Sequence, residues 1–249
     1  MRRLALLILL LLPACGAPPS TLTVSAAASL ENVLAALADA YSYRHPRTKI
    51  EFNFGGSGAL ARQIEDGAPV DVFLSASPEP MNRLGARGLL LDATRRDLLR
   101  GEIVLIVPHS SAGTESFDAL AGPHVKFIAL ADPASVPAGV YGKQVLISLG
   151  LWSRVKQKLV LGKDVRQVLG YVETGNADAG LVYATDARES SAVRVAATAP
   201  ESTHAPVVYP VSVLRGSRNS TAARDFVGFL FGPEARALFV SQGFTAAAP

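Results

Sequence analysis

The sequence predicts an α/β protein of two lobes, each a mostly parallel sheet flanked by helices. Three observations lead there. Short apolar strands alternate with amphipathic helices, the arrangement that produces sheets covered on both faces. Two such units follow one another along the chain. A polar stretch rich in serine and glycine follows Pro108, and the strand-like run "VVYPVSVL" over residues 207–214 comes after the second unit, so the chain is expected to cross between lobes and return. The expected parts are a signal segment over residues 1–20, a first lobe of residues 21–104 with 209–249, and a second lobe of residues 105–208.

The signal segment stands apart in composition. Arg2 and Arg3 precede an almost unbroken apolar run over residues 4–12, then Pro13, Ala14 and Cys15. A run this short falls well below the roughly 20 residues that cross a bilayer core, so it reads as an export signal. Cys15 is the only cysteine among the 249 residues, which excludes an intramolecular disulfide. "LPAC" resembles the bacterial lipoprotein cleavage box; this implies that Cys15 receives lipid and becomes the new N-terminus, whereas ordinary cleavage nearby would discard it. The formal net charge of +3 includes Arg2 and Arg3; without them 22 basic residues face 21 acidic ones, a charge of +1. No basic stripe is interleaved with aromatics, so no nucleic-acid partner is expected.

After a strand over residues 22–25, the side chains Leu30, Val33, Leu34, Leu37, Ala38 and Tyr41 recur at helical spacing, and Ser29 is placed to cap that helix. A strand over residues 50–54 then enters the stretch "FGGSGALARQ". Leu60, Ala61 and Ile64 mark a second helix that ends by Gly67, with Ser57 in the strand-to-helix turn as its expected cap. "VDVFLSAS", residues 70–77, and "EIVLIVP", residues 102–108, read as buried strands. The second unit comprises a strand over 126–130, helices over 138–149 and 165–172, and a strand over 179–184; helices over 222–230 and 233–239 close the chain. No internal repeat or low-complexity tract interrupts this order.

Histidines 45, 109, 124 and 204 are scattered without metal-ligand spacing, and no second cysteine exists for a thiolate site, so no metal centre or cofactor is expected. The glycine loop lacks the Gly-Lys-Ser/Thr ending of a nucleotide P-loop. Gly55–Ala59 misses a G-x-S-x-G nucleophile elbow only at its last position; a serine hydrolase using Ser57 would have to draw on His204 and Asp186. Nothing else recommends an enzyme. The more informative feature is that helices begin at or near Ser29, Ser57, Ala138 and Val165 with small or apolar residues. Their free N–H groups can hold an oxyanion by hydrogen bonds alone, each contributing roughly 1.5–3 kcal/mol.

"AAASLENVL", "FGGSGALARQIEDGAPVDVFLSAS", "DPASVPAGVYGKQVL", "KDVRQVL" and "GLVYATDA" together resemble the periplasmic molybdate-binding proteins of bacterial ABC importers, over about residues 22–244. The resemblance implies a two-lobed periplasmic-binding-protein fold with the ligand cleft between the lobes. It implies that Ser29 and Ser57 bind molybdate or tungstate from the first lobe. Ala138 and Val165 would supply backbone N–H groups from the second, and Tyr183 its hydroxyl. The glycines around Ser57 depart from the family's more serine-rich loop and leave Ser57 as its sole side-chain donor. Near these groups, Asp164 is expected to cap a helix, and Asp132 and Asp186 to be structural. The implied protein is a monomer outside the cytoplasmic membrane, held there by lipid on Cys15, that delivers the ion to an importer permease. A binding protein for sulfate or another small tetrahedral oxyanion is the alternative.

Overall fold

The structure, a computed structural model, describes residues 20–247. The signal segment and Cys15 lie outside the described residues, apart from Ser20, which opens the first strand.

The first lobe starts with β1 (Ser20–Ala27), α1 (Glu31–Arg44), β2 (Thr48–Gly55), α2 (Ser57–Glu65), β3 (Val72–Leu74), α3 (Pro78–Ala86) and β4 (Arg96–Gly101). The second contains β5 (Ile103–Pro108), β6 (Ile128–Ala131), α4 (Pro137–Ser148), α5 (Trp152–Val155), β7 (Leu159–Gly162), α6 (Val165–Glu173), β8 (Ala179–Tyr183), α7 (Ala184–Arg188) and β9 (Val193–Thr198). The chain then returns to the first lobe with β10 (Val207–Val213), α8 (Ser220–Leu230), α9 (Pro233–Ser241) and the short β11 (Thr245–Ala246).

Two sheets result, in the orders β11-β4-β10-β3-β1-β2 and β7-β6-β8-β5-β9. In the first, β1 runs parallel to both β2 and β3; in the second, β6 runs parallel to both β7 and β8. The strands that carry the chain between lobes add antiparallel pairs. β10 pairs that way with β3 and β4, and β5 with β8 and β9. A strand entering a sheet from the neighbouring lobe arrives without the helical crossover that parallel pairing needs.

The first crossing lies at Gly101–Glu102, before β5, and not in the polar stretch after Pro108. β5 is already paired inside the second sheet, and that stretch is a loop of the second lobe, where His109 N–H bonds Ala192 O. The return runs through residues 199–206 into β10, which becomes an interior strand of the first sheet and is buried throughout.

The register brings one end of each sheet to the cleft. Ala27 pairs with Gly55 and Ala26 with Leu74, so the carboxyl ends of β1, β2 and β3 lie side by side. Ala131 pairs with Gly162 in the other lobe. Ligands of open α/β sheets bind beyond these strand ends. One core of Val, Ile, Leu and Ala side chains runs through both lobes, while Leu60, Ile64, Phe73, Met81 and Leu84 form a second cluster beneath α2 and α3.

Candidate functional site

A small cavity, about 10 Å³, lies where the two sets of strand ends face each other. It is lined from the first lobe by Ala27, Ala28, Ser29, Gly55, Gly56, Ser57 and Ala76, and from the second by Val136, Pro137, Asp164, Val165 and Tyr183. Sites for organic ligands usually measure some 300–1,000 Å³; this one is, as closed here, about the size of a single water molecule.

Four of the five expected ligand residues therefore line one cavity, although Ser29 and Val165 are 136 positions apart in sequence. Ala138 is not itself in the lining; its neighbours Val136 and Pro137 are, and it is the second residue of α4. Ser57 and Val165 are the first residues of α2 and α6. N–H groups at these positions have no acceptor within their own helix, and the helix dipole puts partial positive charge there. No lysine or arginine is among the lining residues.

The two serines do not cap their helices as expected. Ser29 sits in a 3₁₀ turn over Ala28–Leu30 ahead of α1, and its buried hydroxyl donates to the Tyr209 hydroxyl at 3.4 Å. Leu30 occupies the capping position of α1. Ser57 lies one residue inside α2, past the extended Gly56, and its Oγ accepts from the Ala76 N–H at 3.0 Å. Each hydroxyl is thus bonded outside its own helix, Ser29 to a strand side chain and Ser57 to the backbone just after β3.

Asp164 does cap α6: its Oδ1 accepts from the Gln167 N–H at 2.8 Å, while Gln167 Oε1 accepts from the Lys163 N–H at 2.7 Å. This reciprocal pair commits the carboxylate nearest the cavity to backbone donors and leaves Val165 N–H free. Asp132 is occupied likewise, accepting from the Ala134 N–H at 2.9 Å.

Tyr183 ends β8, and its hydroxyl is buried without a hydrogen-bond partner among the described residues. Its ring lies 5.6 Å from that of Tyr209. Burial, then the adjacent Tyr209, Tyr141 and Asp186, pushes its ionisation well above the ordinary tyrosine value, so the group is a neutral donor. A buried donor without a partner costs about 1–3 kcal/mol, and this one belongs to a residue that lines the cavity.

The glycines of the loop have a steric role that the sequence did not reveal. A Cβ on Gly58 would lie 2.5 Å from Ser135 O, and one on Gly56 would lie 2.9 Å from Val136 Cγ2 and 3.0 Å from Lys163 O. All three neighbours belong to the opposite lobe. Gly58 N–H in fact bonds Ser135 O at 3.0 Å, while Arg83 of α3 holds Gly58 O from behind at 3.2 Å. The bare backbone is what lets the second lobe approach.

Two residues that sequence reasoning left aside also stand here. Tyr209 positions Ser29, and Arg166, next to Val165, reaches back to Ala28 O at 3.3 Å. Arg166 was present in the motif "KDVR", but nothing in that motif shows its partner in the other lobe.

The residues proposed for a hydrolase do not assemble. The lining around Ser57 includes no histidine; His204 has its Nδ1 2.7 Å from Ala205 O and lines a different cavity beside the crossings, and Asp186 faces Arg166 at 3.2 Å. Among the described residues no cluster of His, Cys, Asp and Glu could hold a metal ion, and no described helix is long and apolar enough to cross a membrane.

Comparison with known proteins finds relatives over most of the chain. The chain is 44% identical over 227 residues to Bacillus subtilis YvgL, provisionally named an ABC transporter substrate-binding lipoprotein, covering 91% of this chain and 86% of the relative. It is 40% identical over 235 residues to the molybdate-binding protein ModA of Haemophilus influenzae, covering 92% of each. The solved periplasmic molybdate-binding protein of Azotobacter vinelandii superposes with a TM-score of 0.82 at 26% identity, over 92% of this chain and 99% of that one. The profile of the bacterial extracellular solute-binding proteins matches residues 22–245, and this chain belongs to that family.

Proposed function

We propose that this protein captures molybdate outside the cytoplasmic membrane and delivers it to the permease of an ABC importer. The observation that carries the reading is the cavity itself: a neutral, buried Tyr183 hydroxyl with no hydrogen-bond partner among the described residues, beside the starts of α2 and α6, in a lining without basic side chains. Such a site donates hydrogen bonds and offers almost no acceptors, so it favours a fully deprotonated oxyanion. Ser29, Ser57, Val165 and Tyr183 would hold the ion directly, and Ala138 would contribute its N–H from the second position of α4. The relatives named for molybdate support this choice of ion.

Tungstate has the same charge and shape as molybdate and is taken by the same donors. Sulfate is smaller, and donors fixed on two sheets and three helices would contact it incompletely. Protonated phosphate would bring a donor to a site made of donors. Calorimetric titration of the exported chain, stripped of ligand by unfolding and refolding, against these four ions is the test. One-to-one binding of molybdate and tungstate alone is expected; preference for sulfate would transfer the function to that ion, and silence towards all four would remove oxyanion capture.

Export and anchoring extend the same reading. Cys15 is proposed as the lipid-bearing N-terminus of the mature chain, in keeping with the lipoprotein name of the Bacillus relative. Intact-mass analysis of the mature protein should find a chain beginning at residue 15 with added acyl mass, and a start beyond residue 15 would refute it.

A further inference from the structure

We propose that Arg166 is a positioning residue that clasps the two lobes in the closed, ligand-bound state, and that the buried carboxylate of Asp186 aims it. The proposal rests on the oxyanion-binding function argued above and concerns how the bound ion is retained.

Arg166 follows Val165 at the start of α6, so its backbone is part of the helix end that faces the cavity. Its side chain leaves the second lobe. Nε donates to the carbonyl of Ala28 in the first lobe at 3.3 Å, on the turn that carries Ser29. The same carbonyl accepts the Glu31 N–H, which closes that turn, so Arg166 engages an oxygen whose position is already fixed. The bond therefore ties an anion-donating element of one lobe to an anion-donating element of the other. It can exist only when the lobes are together.

Asp186 explains why the guanidinium points that way. Its carboxylate is fully buried on α7, and its Oδ1 lies 3.2 Å from Arg166 Nε. Neither carboxylate oxygen has an aligned hydrogen-bond partner among the described residues. A buried carboxyl without an aligned partner is drawn to a nearby cation, and the Arg166 guanidinium is the one beside it. The pair keeps Arg166 in the second lobe with its donors turned towards Ala28, much as a second residue orients a metal-binding or catalytic one. Arg166 is absent from the cavity lining, so it acts on closure rather than on the ion. A simple core ion pair would need no partner across the cleft.

The test compares the exported wild-type chain with Arg166→Met, Arg166→Lys and the double variant Arg166→Met/Asp186→Asn. The double variant removes both charges while keeping side-chain shape, so it folds without the lone buried carboxylate that threatens the single one. Association and dissociation of radiolabelled molybdate are measured by rapid mixing and dilution, and compaction on ligand addition by small-angle scattering. Loss of one hydrogen bond across the cleft should speed dissociation by roughly 3–10-fold in the Met and double variants with association unchanged. Ligand-induced compaction should shrink, and Lys should restore part of the slow dissociation because it can still donate to Ala28 O. Unchanged dissociation and compaction in the double variant would overturn the clasp while leaving the wild-type function standing. Failure of the wild-type chain to bind molybdate would remove both.

Discussion

At the scale of single residues, burial raises the proton affinity of two ionisable side chains at and beside the cavity, Tyr183 and Asp186. Tyr183 keeps its proton because burial opposes a phenolate, and it offers that proton to the cavity. Tyr183→Phe removes one donor to a charged ligand without altering shape, so molybdate affinity should fall by about 1–3 kcal/mol in calorimetry. Unchanged affinity would exclude the hydroxyl from the site. Asp186 is pushed from 3.8 up to about 7 by burial, with Arg166 pulling in the other direction but not prevailing. Between pH 3.8 and about 7 the folded chain thus holds a proton that the unfolded chain releases. The stability it contributes is full below the unfolded value and is lost as pH rises towards 7. Asn cannot titrate. The melting temperature of Asp186→Asn relative to wild type should therefore rise from pH 4 to pH 7, the range set by the shift, and level off above it; a difference independent of pH would show that the carboxyl is not shifted. Motifs in the sequence mark Ser29, Ser57, Val165 and Tyr183, which line the cavity. They do not mark the roles of Arg166 and Tyr209, since Arg166 acts on a residue 138 positions away and Tyr209 on one 180 away.

At the scale of elements, the glycine loop shows how a motif can be legible while its reason is not. The sequence stretch "FGGSGALARQ" does produce a strand, a tight turn and a helix, as its periodicity implies. Its glycines look like provision for an ion approaching bare backbone. In the structure Gly56 and Gly58 instead meet the backbone and a side chain of the second lobe, a contact that local spacing cannot encode. Weak patterns hid other elements. β4 has only Leu98 and Leu99 buried among charged neighbours, and β7 has four residues, too few for alternation to show. The loop's steric role can be tested with Gly58→Ala. The added Cβ would sit 2.5 Å from Ser135 O, a backbone atom that cannot swing away. Crowding of this kind typically costs about 1–3 kcal/mol, and here it falls on the closed state. Molybdate affinity should drop by that amount while the ligand-free melting temperature stays near wild type. Equal loss of both would mean that the loop's conformation, and not the approach of the lobes, requires glycine.

At the scale of the whole molecule, the lobes are joined by connections of unequal length and meet across the cleft. The first connection is Glu102 alone, between the ends of β4 and β5, and the second is residues 199–206. Ala184 N–H bonds Glu102 O at 3.0 Å and Ala199 N–H bonds Ile103 O at 2.8 Å, so both are braced on the second lobe. Across the cleft stand Gly58 N–H to Ser135 O, Arg166 to Ala28 O, and Asn32 to Glu189 near the surface. A hinge with few residues and a cleft closed by a few bonds implies rigid-body closure about the crossings. The two sheets were foreseeable from alternating patterns; that a single residue makes the first connection was not, because the lone Glu102 between two strands carries no loop signal. Closure has a local signature in amide exchange. Gly58 N–H loses its acceptor when the lobes part, whereas amides in β5 stay bonded within their sheet whether the cleft is open or shut. Saturating molybdate should then slow exchange at Gly58 far more than at β5 positions that exchange through opening events smaller than global unfolding. A ligand that only stabilises the folded state slows exchange through global unfolding, and it does so at every site that depends on it. Protection concentrated at Gly58 would place the ligand's effect at the cleft, while equal slowing at Gly58 and in β5 would show binding to a cleft that is already shut.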